Sequence, residues 1–271
     1  MFFSVIIPLY NKEDFIVSAI ESVLRQDFQD FEVIVVNDGS TDHSLEKVTE
    51  IKDVRLRIIS TPNRGPASAR NTGIQNAQGN WIIFLDADDT LVPHAFSLFL
   101  TAIENNSGYD VYYGTTLFYQ QGIYQSIFPK EPREGFIHNP PKEAFFRRLS
   151  TAAGSSCFKK SIFSTILYNP SYFRGEDVDL HFRIWKQHHC YQFKEPTVIV
   201  NVDTRQASKP RADIKEDYTT QICLKHANFW ERMYLFELHL GAKNTYHKLL
   251  PNQYDRRYVL LFLNRLLLKK W

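Results

Sequence analysis

Cysteine is scarce in this chain of 271 residues, which contains only three. Cys157, Cys190 and Cys223 are widely separated and odd in number, so they fit neither a disulfide framework nor a paired zinc site. This usage is typical of proteins that stay in a reducing compartment.

Long apolar runs are also missing. A membrane-spanning helix needs about 20 apolar residues, whereas the first apolar run, residues 2–7, is ended by Pro8 and the longest late run, residues 258–263, is ended by Asn264. The first run also lacks the basic residues and the cleavage site of a signal peptide. We therefore expect a cytoplasmic protein, or one bound peripherally at the inner face of the cell membrane.

Excess charge of either sign is absent, since 32 basic and 30 acidic residues give a formal net charge of +2. This balance gives no general attraction to nucleic acid. Glycine-rich phosphate loops are absent as well: no G-x-G-x-x-G follows the first apolar run, and residues 9–12 (LYNK) do not supply a glycine-rich loop with its lysine. A dinucleotide-dependent dehydrogenase and a nucleotidyltransferase are therefore disfavoured.

What the sequence does contain is strand–helix alternation in its first hundred residues. Short β-branched runs predict strands, and the spacing of Ile16, Ile20 and Val23 predicts a helix with one buried face. The predicted strands are Ser4–Ile7, Glu32–Val36, Leu56–Ser60 and Trp81–Leu85. Near-continuous apolar strands alternating with helices indicate an α/β fold with a mostly parallel sheet flanked by helices.

The pattern loosens after about Gly108. Strands are predicted at Val111–Tyr119 and Thr197–Val202, and helices near Lys142–Leu149 and from about Glu176. We predict a catalytic domain at 1–205, divided into halves at 1–92 and 93–205. A linker and a C-terminal helical appendage are predicted at 206–271.

Polar residues cluster where three of the predicted strands end. The clusters lie within Pro8–Asn11 (PLYN) after the first strand, where Tyr10 and Asn11 are polar, within residues 37–42 after the second, and within residues 86–89 after the fourth. Parallel α/β sheets bind ligands at the carboxyl ends of their strands. Three such clusters at one edge predict a nucleotide site.

Asp86 and Asp88 are two residues apart and would point the same way on an extended backbone. Two carboxylates on one side can hold a hard divalent cation that bridges to substrate phosphates. We also expect Asp89 to cap the helix that begins near Pro93. The alternative interpretation is that Asp89 caps the helix and that the carboxylates of Asp86 and Asp88 have no role in binding.

Asp38 and Arg70 each have two interpretations from residues alone. Asp38 can accept the imide N–H of a uracil, or it can form an Asx-turn, with Asp42 capping the next helix. Arg70 can meet ribose or phosphate, or it can be a solvated surface arginine.

Taken in order, these residues form a series of motifs. They are SVIIPLYN at 4–11, SVLRQ at 22–26, FEVIVVNDGSTD at 31–42, NRG at 63–65, ARNTG at 69–73, GNWIIFLDADD at 79–89 and GEDVDL at 175–180. The chain closely resembles the family 2 glycosyltransferases of the GT-A fold, a Rossmann-like fold of nucleotide-diphospho-sugar transferases. The resemblance is dense over residues 3–92, patchy to about 208 and absent beyond.

The resemblance implies an inverting enzyme of bacterial surface-polysaccharide assembly, with a UDP-sugar as donor and a saccharide or lipid-linked saccharide as acceptor. It implies that Tyr10 lies against uracil and Asp38 bonds it, while Arg70 helps to enclose the nucleotide. Asp86 would approach the ribose, and Asp88 would coordinate Mn²⁺ or Mg²⁺.

The resemblance also implies that Asp177 is the catalytic base and that Glu176 positions the acceptor or the base. Both residues would open a helix, whose dipole favours the ionised carboxylate. The alternative is that these acids only satisfy the helix terminus. Arg205 stands where many members carry a histidine, which puts a histidine metal ligand in doubt.

The basic and apolar tail, residues 254–271, can lie on an anionic membrane or pack on the catalytic domain or a second subunit, as in a homodimer. We favour packing, because its apolar residues surround much of the predicted helix. The rival function from another class is a nucleotide-sugar-binding protein without turnover, which the Glu176–Asp177 pair argues against.

Overall fold

The computed structural model of the chain describes residues 1–126, 132–172, 174–202 and 228–235. The strands are β1 (Phe3–Leu9), β2 (Phe31–Asp38), β3 (Leu56–Thr61), β4 (Trp81–Phe84), β5 (Thr90–Leu91), β6 (Val111–Gln120), β7 (Ile123–Ser126), β8 (Gly135–Phe136), β9 (Ser156–Lys159) and β10 (Cys190–Asn201). The helices are α1 (Ile16–Leu24), α2 (Ser44–Glu50), α3 (Pro66–Asn76), α4 (Ala95–Asn105), α5 (Pro140–Phe145) and α6 (Glu176–Trp185), with a 3-10 helix at Lys160–Ser164. Residues 229–235 are helical.

One sheet runs through the molecule in the order β3-β2-β1-β4-β9-β6-β10-β5, with β7 beside β6 and β8 beside β10. The strands β3, β2, β1 and β4 are all parallel to their neighbours. Their carboxyl ends therefore meet at one edge of the sheet, as predicted. The α/β fold is confirmed.

The second half of the sheet is mixed rather than parallel. Strand β9 runs antiparallel to both β4 and β6, so β6 is parallel to β4, and β10 is parallel to β6. The carboxyl ends of β6 and β10 therefore share the edge of the first four strands. The two predicted halves also share this sheet, since β5 pairs with β10.

Both faces of the sheet are covered, which explains its continuous apolar strands. In β1, Val5 and Ile7 lie in one core with residues of α1 and α4, while Ile6 lies in the other core with residues of α3 and α6. All three side chains are fully buried. Burying a side chain of this size stabilises the fold by about 1.5–3 kcal/mol.

Part of the predicted appendage packs on the catalytic core. The rings of Tyr234 and Phe182 stack at 5.7 Å, and Trp230 lies 5.5 Å from Phe146. Met233 is buried in the same core. The predicted boundary at 205 and the tail at 254–271 lie outside the described residues, so their packing stays a prediction.

The predicted helix cap at Asp89 is wrong. Helix α4 begins at Ala95 after His94, which has a left-handed backbone and no capping side chain. The Asp89 carboxylate instead accepts the N–H of Asn201 at 3.0 Å. This bond joins the loop after β4 to the end of β10.

Helix α3 depends on a glycine for its close approach to β1. A methyl group at Gly73 would lie 2.3 Å from Cγ2 of Ile6, which is fully buried. We expect Gly73→Ala to lower the free energy of unfolding by about 1–3 kcal/mol through overpacking, although alanine favours the helix by about 1 kcal/mol. Urea unfolding measures this change.

The matched control is Gln75→Ala, at an exposed position of the same helix. Its unfolding free energy should stay within about 0.5 kcal/mol of wild type. A Gly73→Ala protein as stable as this control would contradict the close packing of α3 on β1.

Candidate functional site

The loops after β1 and β2 are joined by hydrogen bonds. Asn11 has a left-handed backbone, with φ of 51°, a conformation in which asparagine is enriched. Its side-chain oxygen accepts the N–H of Thr41 at 2.8 Å, and its own N–H donates to Ser40 Oγ at 3.2 Å. Pro8 is half-buried within β1, and Tyr10 is exposed at this edge.

Asp38, at the end of β2, is only 3% exposed. Its two carboxylate oxygens accept the N–H groups of Arg64 and Gly65, each at 2.8 Å. Gly65 has φ of 89° and immediately precedes α3. Asp38 therefore holds the turn that starts α3. Each carboxylate oxygen has two lone pairs, so capacity for a ligand donor remains.

The Asx-turn interpretation of Asp38 is wrong, because its carboxylate accepts the N–H groups of Arg64 and Gly65 rather than that of the residue two positions on. Asn37 Oδ1 accepts the N–H of Ser40 at 3.1 Å. Asp42 accepts the N–H of Ser44, the first residue of α2, at 3.0 Å.

The segment after β4 is a turn, so the extended backbone predicted for it is wrong. Residues 87 and 88 form the turn, and the N–H of Asp89 donates to the carbonyl of Asp86 at 3.1 Å. The Asp86 and Asp88 carboxylates contact cations from different elements. Asp86 pairs with Arg70 of α3, and Asp88 pairs with Lys12 of the loop after β1.

Arg70 is the centre of a buried ion cluster. It is 6% exposed, so its interpretation as a solvated surface residue is wrong. Nη2 lies 2.8 Å from Asp86 Oδ1, and Nη1 lies 2.5 Å from Glu176 Oε1. Its guanidinium carbon lies 5.3 Å from the ring centre of Tyr168. The structure thus joins a carboxylate of the predicted donor half to the predicted catalytic pair.

Glu176 and Asp177 open helix α6, as predicted, after Gly175 with φ of 72°. Burial raises the pKa of Glu176 to about 7, against the opposing charge of Arg70. Burial also raises the pKa of Asp177, although Arg70 and the N–H of Val178 lower it. Desolvation therefore opposes the helix dipole at Asp177, and the ionisation of this carboxyl by the dipole stays a prediction.

Asp177 and Asp86 both line one cleft. Its other walls come from α3, β4, β9, α6 and the loops before β9 and α6: Arg70, Phe84, Thr151, Ala152, Ala153, Gly154, Ser156, Phe158, Tyr168 and His181. Within the described residues, the buried Ser156 Oγ has no hydrogen-bond partner. Asp177 and Ser156 thus bring a carboxylate and a hydroxyl to a small cavity of about 30 Å³.

Residues that the sequence did not single out for this cleft support its walls. His181 lies one helical turn after Asp177, and Tyr113 hydrogen-bonds its Nδ1 at 2.8 Å. Burial lowers the pKa of His181 to about 3, so the ring is neutral. The sequence did contain a signal for this position, because residues four apart, such as Asp177 and His181, lie on one side of a helix.

The carboxylates fit a divalent cation that is shared with a phosphate ligand. In the described ranges, no three His, Cys, Asp or Glu side chains come together as a metal site. Magnesium sites commonly use only one or two carboxylates, completed by phosphates and water. The Asp88 carboxylate already binds one cation, the ammonium of Lys12 at 2.7 Å, so its position suits positive charge.

Some predicted features lie outside the described residues. These are Arg205, Cys223 and the tail at 254–271. In the part of the chain that the structure covers, no helix has both the length and the apolarity to cross a membrane.

Asp38 carries a stability test that needs no ligand. Asp38→Ala leaves the N–H groups of Arg64 and Gly65 without their buried acceptor, which costs about 1–3 kcal/mol for each unsatisfied group. We expect the free energy of urea unfolding, measured without nucleotide, to fall by at least about 1 kcal/mol.

Asp14→Ala, in the loop before α1, serves as the control and should change stability by less than about 0.5 kcal/mol. Wild-type stability in Asp38→Ala would show that Asp38 does not hold the turn before α3.

Comparison with known proteins identifies a family. The profile of Glycosyl transferase family 2 matches residues 4–167, which is more than half of the 271 residues. An uncharacterized glycosyltransferase of Rickettsia felis is 45% identical over 106 residues, which are 38% of this chain and 17% of that protein. The chain thus matches about a sixth of the length of this relative.

Two further proteins match more of the chain. The GalNAc(5)-diNAcBac-PP-undecaprenol beta-1,3-glucosyltransferase of Campylobacter jejuni is 29% identical over 195 residues, 70% of this chain and 62% of that protein. The crystal structure of S. aureus TarS 1–349 in complex with UDP-GlcNAc has a TM-score of 0.66 at 20% identity, covering 90% of this chain and 73% of that chain. The latter likeness supports the GT-A type of fold. With the matched profile, these findings show that the chain belongs to glycosyl transferase family 2.

Proposed function

We propose that this protein is an inverting glycosyltransferase. It transfers a sugar from a nucleoside diphosphate, UDP, to a hydroxyl of a saccharide or lipid-linked saccharide in surface-polysaccharide biosynthesis. The observation that carries the proposal is the cleft that both Asp177 and Asp86 line, with Arg70 bonded to both Asp86 and Glu176.

The donor proposal rests on the edge where β1, β2 and β4 end. Tyr10 offers an exposed ring to a base at this edge. Asp38 retains lone pairs for the imide N–H of uracil while it holds the turn before α3. The TarS structure in complex with UDP-GlcNAc supports a donor of this class.

Negative charge develops on the diphosphate when the sugar leaves. A Mn²⁺ or Mg²⁺ ion bound there supplies Lewis-acid stabilisation of that charge. Asp88 would hold this ion, and Asp86, whose side chain is 41% exposed, would approach the ribose.

The acceptor side rests on Asp177. The acceptor oxygen forms a bond to the anomeric carbon, the bond from that carbon to the diphosphate oxygen breaks, and Asp177 takes the hydroxyl proton. General-base assistance of this kind contributes about 10²–10⁴-fold in rate. The raised pKa of Asp177 makes its carboxylate a stronger base than an exposed aspartate.

Glu176 acts through Arg70 rather than on the acceptor itself in this scheme. Their ion pair is buried on both sides, which fixes the guanidinium between the two carboxylate groups. Arg70 also lowers the pKa of Asp177. Arg70 and Glu176 are therefore positioning residues.

The Campylobacter relative, named as acting on an undecaprenol-linked glycan, supports a lipid-linked acceptor. Such an acceptor would place the reaction at the cytoplasmic face of the membrane, with the tail at 254–271 packed on the enzyme or on a second subunit. A nucleotide-sugar-binding protein without turnover remains the rival, and slow hydrolysis of the donor separates the two.

Asp177→Asn should abolish proton acceptance while preserving the size of the side chain. We expect nearly unchanged donor affinity and a turnover at least about 10²-fold lower. Donor hydrolysis or transfer measures turnover, and calorimetry measures affinity.

The matched control is Asp179→Asn in the same first helical turn, where Asp179 pairs with Arg183 at 2.6 Å. It should retain turnover within a few-fold of wild type. If Asp177→Asn loses donor affinity but keeps its turnover, Asp177 belongs to the nucleotide site instead.

The pH dependence of turnover tests the role of Arg70. Since burial raises the pKa values of both Asp177 and Glu176, the decrease in rate as pH falls should begin at a higher pH than for an exposed carboxylate. Arg70→Met removes the charge that lowers both pKa values, so the midpoint should move to higher pH. Arg70→Lys keeps the charge and should shift it less.

A pH–rate profile of Arg70→Met that superimposes on wild type would contradict this electrostatic role.

The free energy of unfolding as a function of pH gives a second measurement. Burial raises the pKa of Glu176 to about 7 in the folded protein, from 4.5 in the unfolded chain. The free energy of unfolding contributed by this group should therefore decrease as pH rises across that window.

A further inference from the structure

An ion pair crosses the edge where the diphosphate is proposed to lie. Lys12 Nζ donates to Asp88 Oδ2 at 2.7 Å, and the two side chains are 22% and 15% exposed. Lys12 follows β1 and Asp88 follows β4, two adjacent parallel strands. The ammonium thus occupies the carboxylate that would serve the divalent cation.

The backbone of Lys12 is fixed while its side chain spans this edge. Its N–H donates to Ser44 Oγ at 2.8 Å. Its carbonyl accepts the N–H groups of Phe15 and Ile16, each at 3.0 Å. A movement of Lys12 is therefore a rotation of its flexible four-carbon side chain about a stationary Cα.

A metal ion and an ammonium cannot both bind Asp88 Oδ2 closely, because like charges repel strongly at this separation. A metal ion that binds this oxygen therefore competes with Lys12 for Asp88. If Lys12 is displaced and finds no new partner, its ammonium loses the partly buried ion pair with Asp88, which is unfavourable. When a diphosphate is present at this edge, its oxygens replace the carboxylate as the partner.

We propose that Lys12 couples metal binding to nucleotide binding: it holds Asp88 in the nucleotide-free protein and transfers to the diphosphate when the metal binds. This proposal rests on the proposed function, since it needs a nucleoside diphosphate at this edge. The metal alone then binds weakly, and metal and nucleotide strengthen each other reciprocally.

The test is Mn²⁺ binding, followed by electron paramagnetic resonance with and without UDP. Lys12→Met keeps the length of the side chain and removes the charge. It should bind Mn²⁺ alone at least about 10-fold more tightly than wild type, equivalent to about 1.4 kcal/mol. The gain in Mn²⁺ affinity on adding UDP should shrink by a similar factor.

Three variants localise the effect. Lys12→Arg keeps a cation and should bind Mn²⁺ alone as weakly as wild type. Adding Asp88→Asn to Lys12→Met should remove the gained affinity. Lys47→Met is the matched control, because Lys47 is a nearby lysine whose Nζ donates to the carbonyl of Glu13 at 2.9 Å rather than to a carboxylate. It should leave Mn²⁺ binding unchanged.

Equal Mn²⁺ affinity of wild type and Lys12→Met without UDP would overturn the proposal. So would an absence of Mn²⁺ binding by both proteins with UDP present. Turnover of a UDP-sugar in the same samples without metal would then leave the transferase function standing, so the two failures are distinguishable. Urea unfolding of each variant verifies that it is folded.

Discussion

The site depends on one buried guanidinium. Arg70 reaches from α3 to Asp86 after β4 and to Glu176 at the start of α6, so it joins three elements that are far apart in sequence. A buried charge is costly unless it is paired, and removing one partner leaves the others uncompensated. The cleft is therefore held in shape by charges that must stay together, and the aromatic face of Tyr168 closes the cluster on another side.

The same edge keeps a second pair, Lys12 with Asp88, that is more accessible to solvent than the Arg70 pair with Glu176. The two pairs differ in what a ligand can do to them. The Arg70 pair is enclosed and fixes geometry, whereas the Lys12 pair lies where a charged ligand can replace either partner. A fixed cation, Arg70, and an exchangeable cation, Lys12, at the same edge suit a reaction in which a diphosphate and a metal must enter and leave.

Much of the first half follows from the sequence, because its four parallel strands are apolar runs whose direction is set by the alternating helices. The reversal of β9 does not follow, since a strand of four residues, Ser156–Lys159, carries too short a pattern to reveal its partners. Contacts between distant residues were also missed: Asp89 bonds Asn201 instead of capping α4, and Lys12 meets Asp88 across 76 positions. The burial that raises the pKa of Asp177 could not be predicted either, because a sequence shows which residues open a helix but not how deeply they are buried.

The central claim is that one base across the cleft from the nucleotide performs a single displacement. The most direct measurement is proton NMR of the anomeric signal as a UDP-sugar is consumed, with water or a saccharide as acceptor. The account predicts that the first-formed product has the anomeric configuration opposite to that of the donor, before any free sugar equilibrates. A product that retains the donor configuration would contradict it, because retention requires two displacements or a different arrangement of the reacting groups.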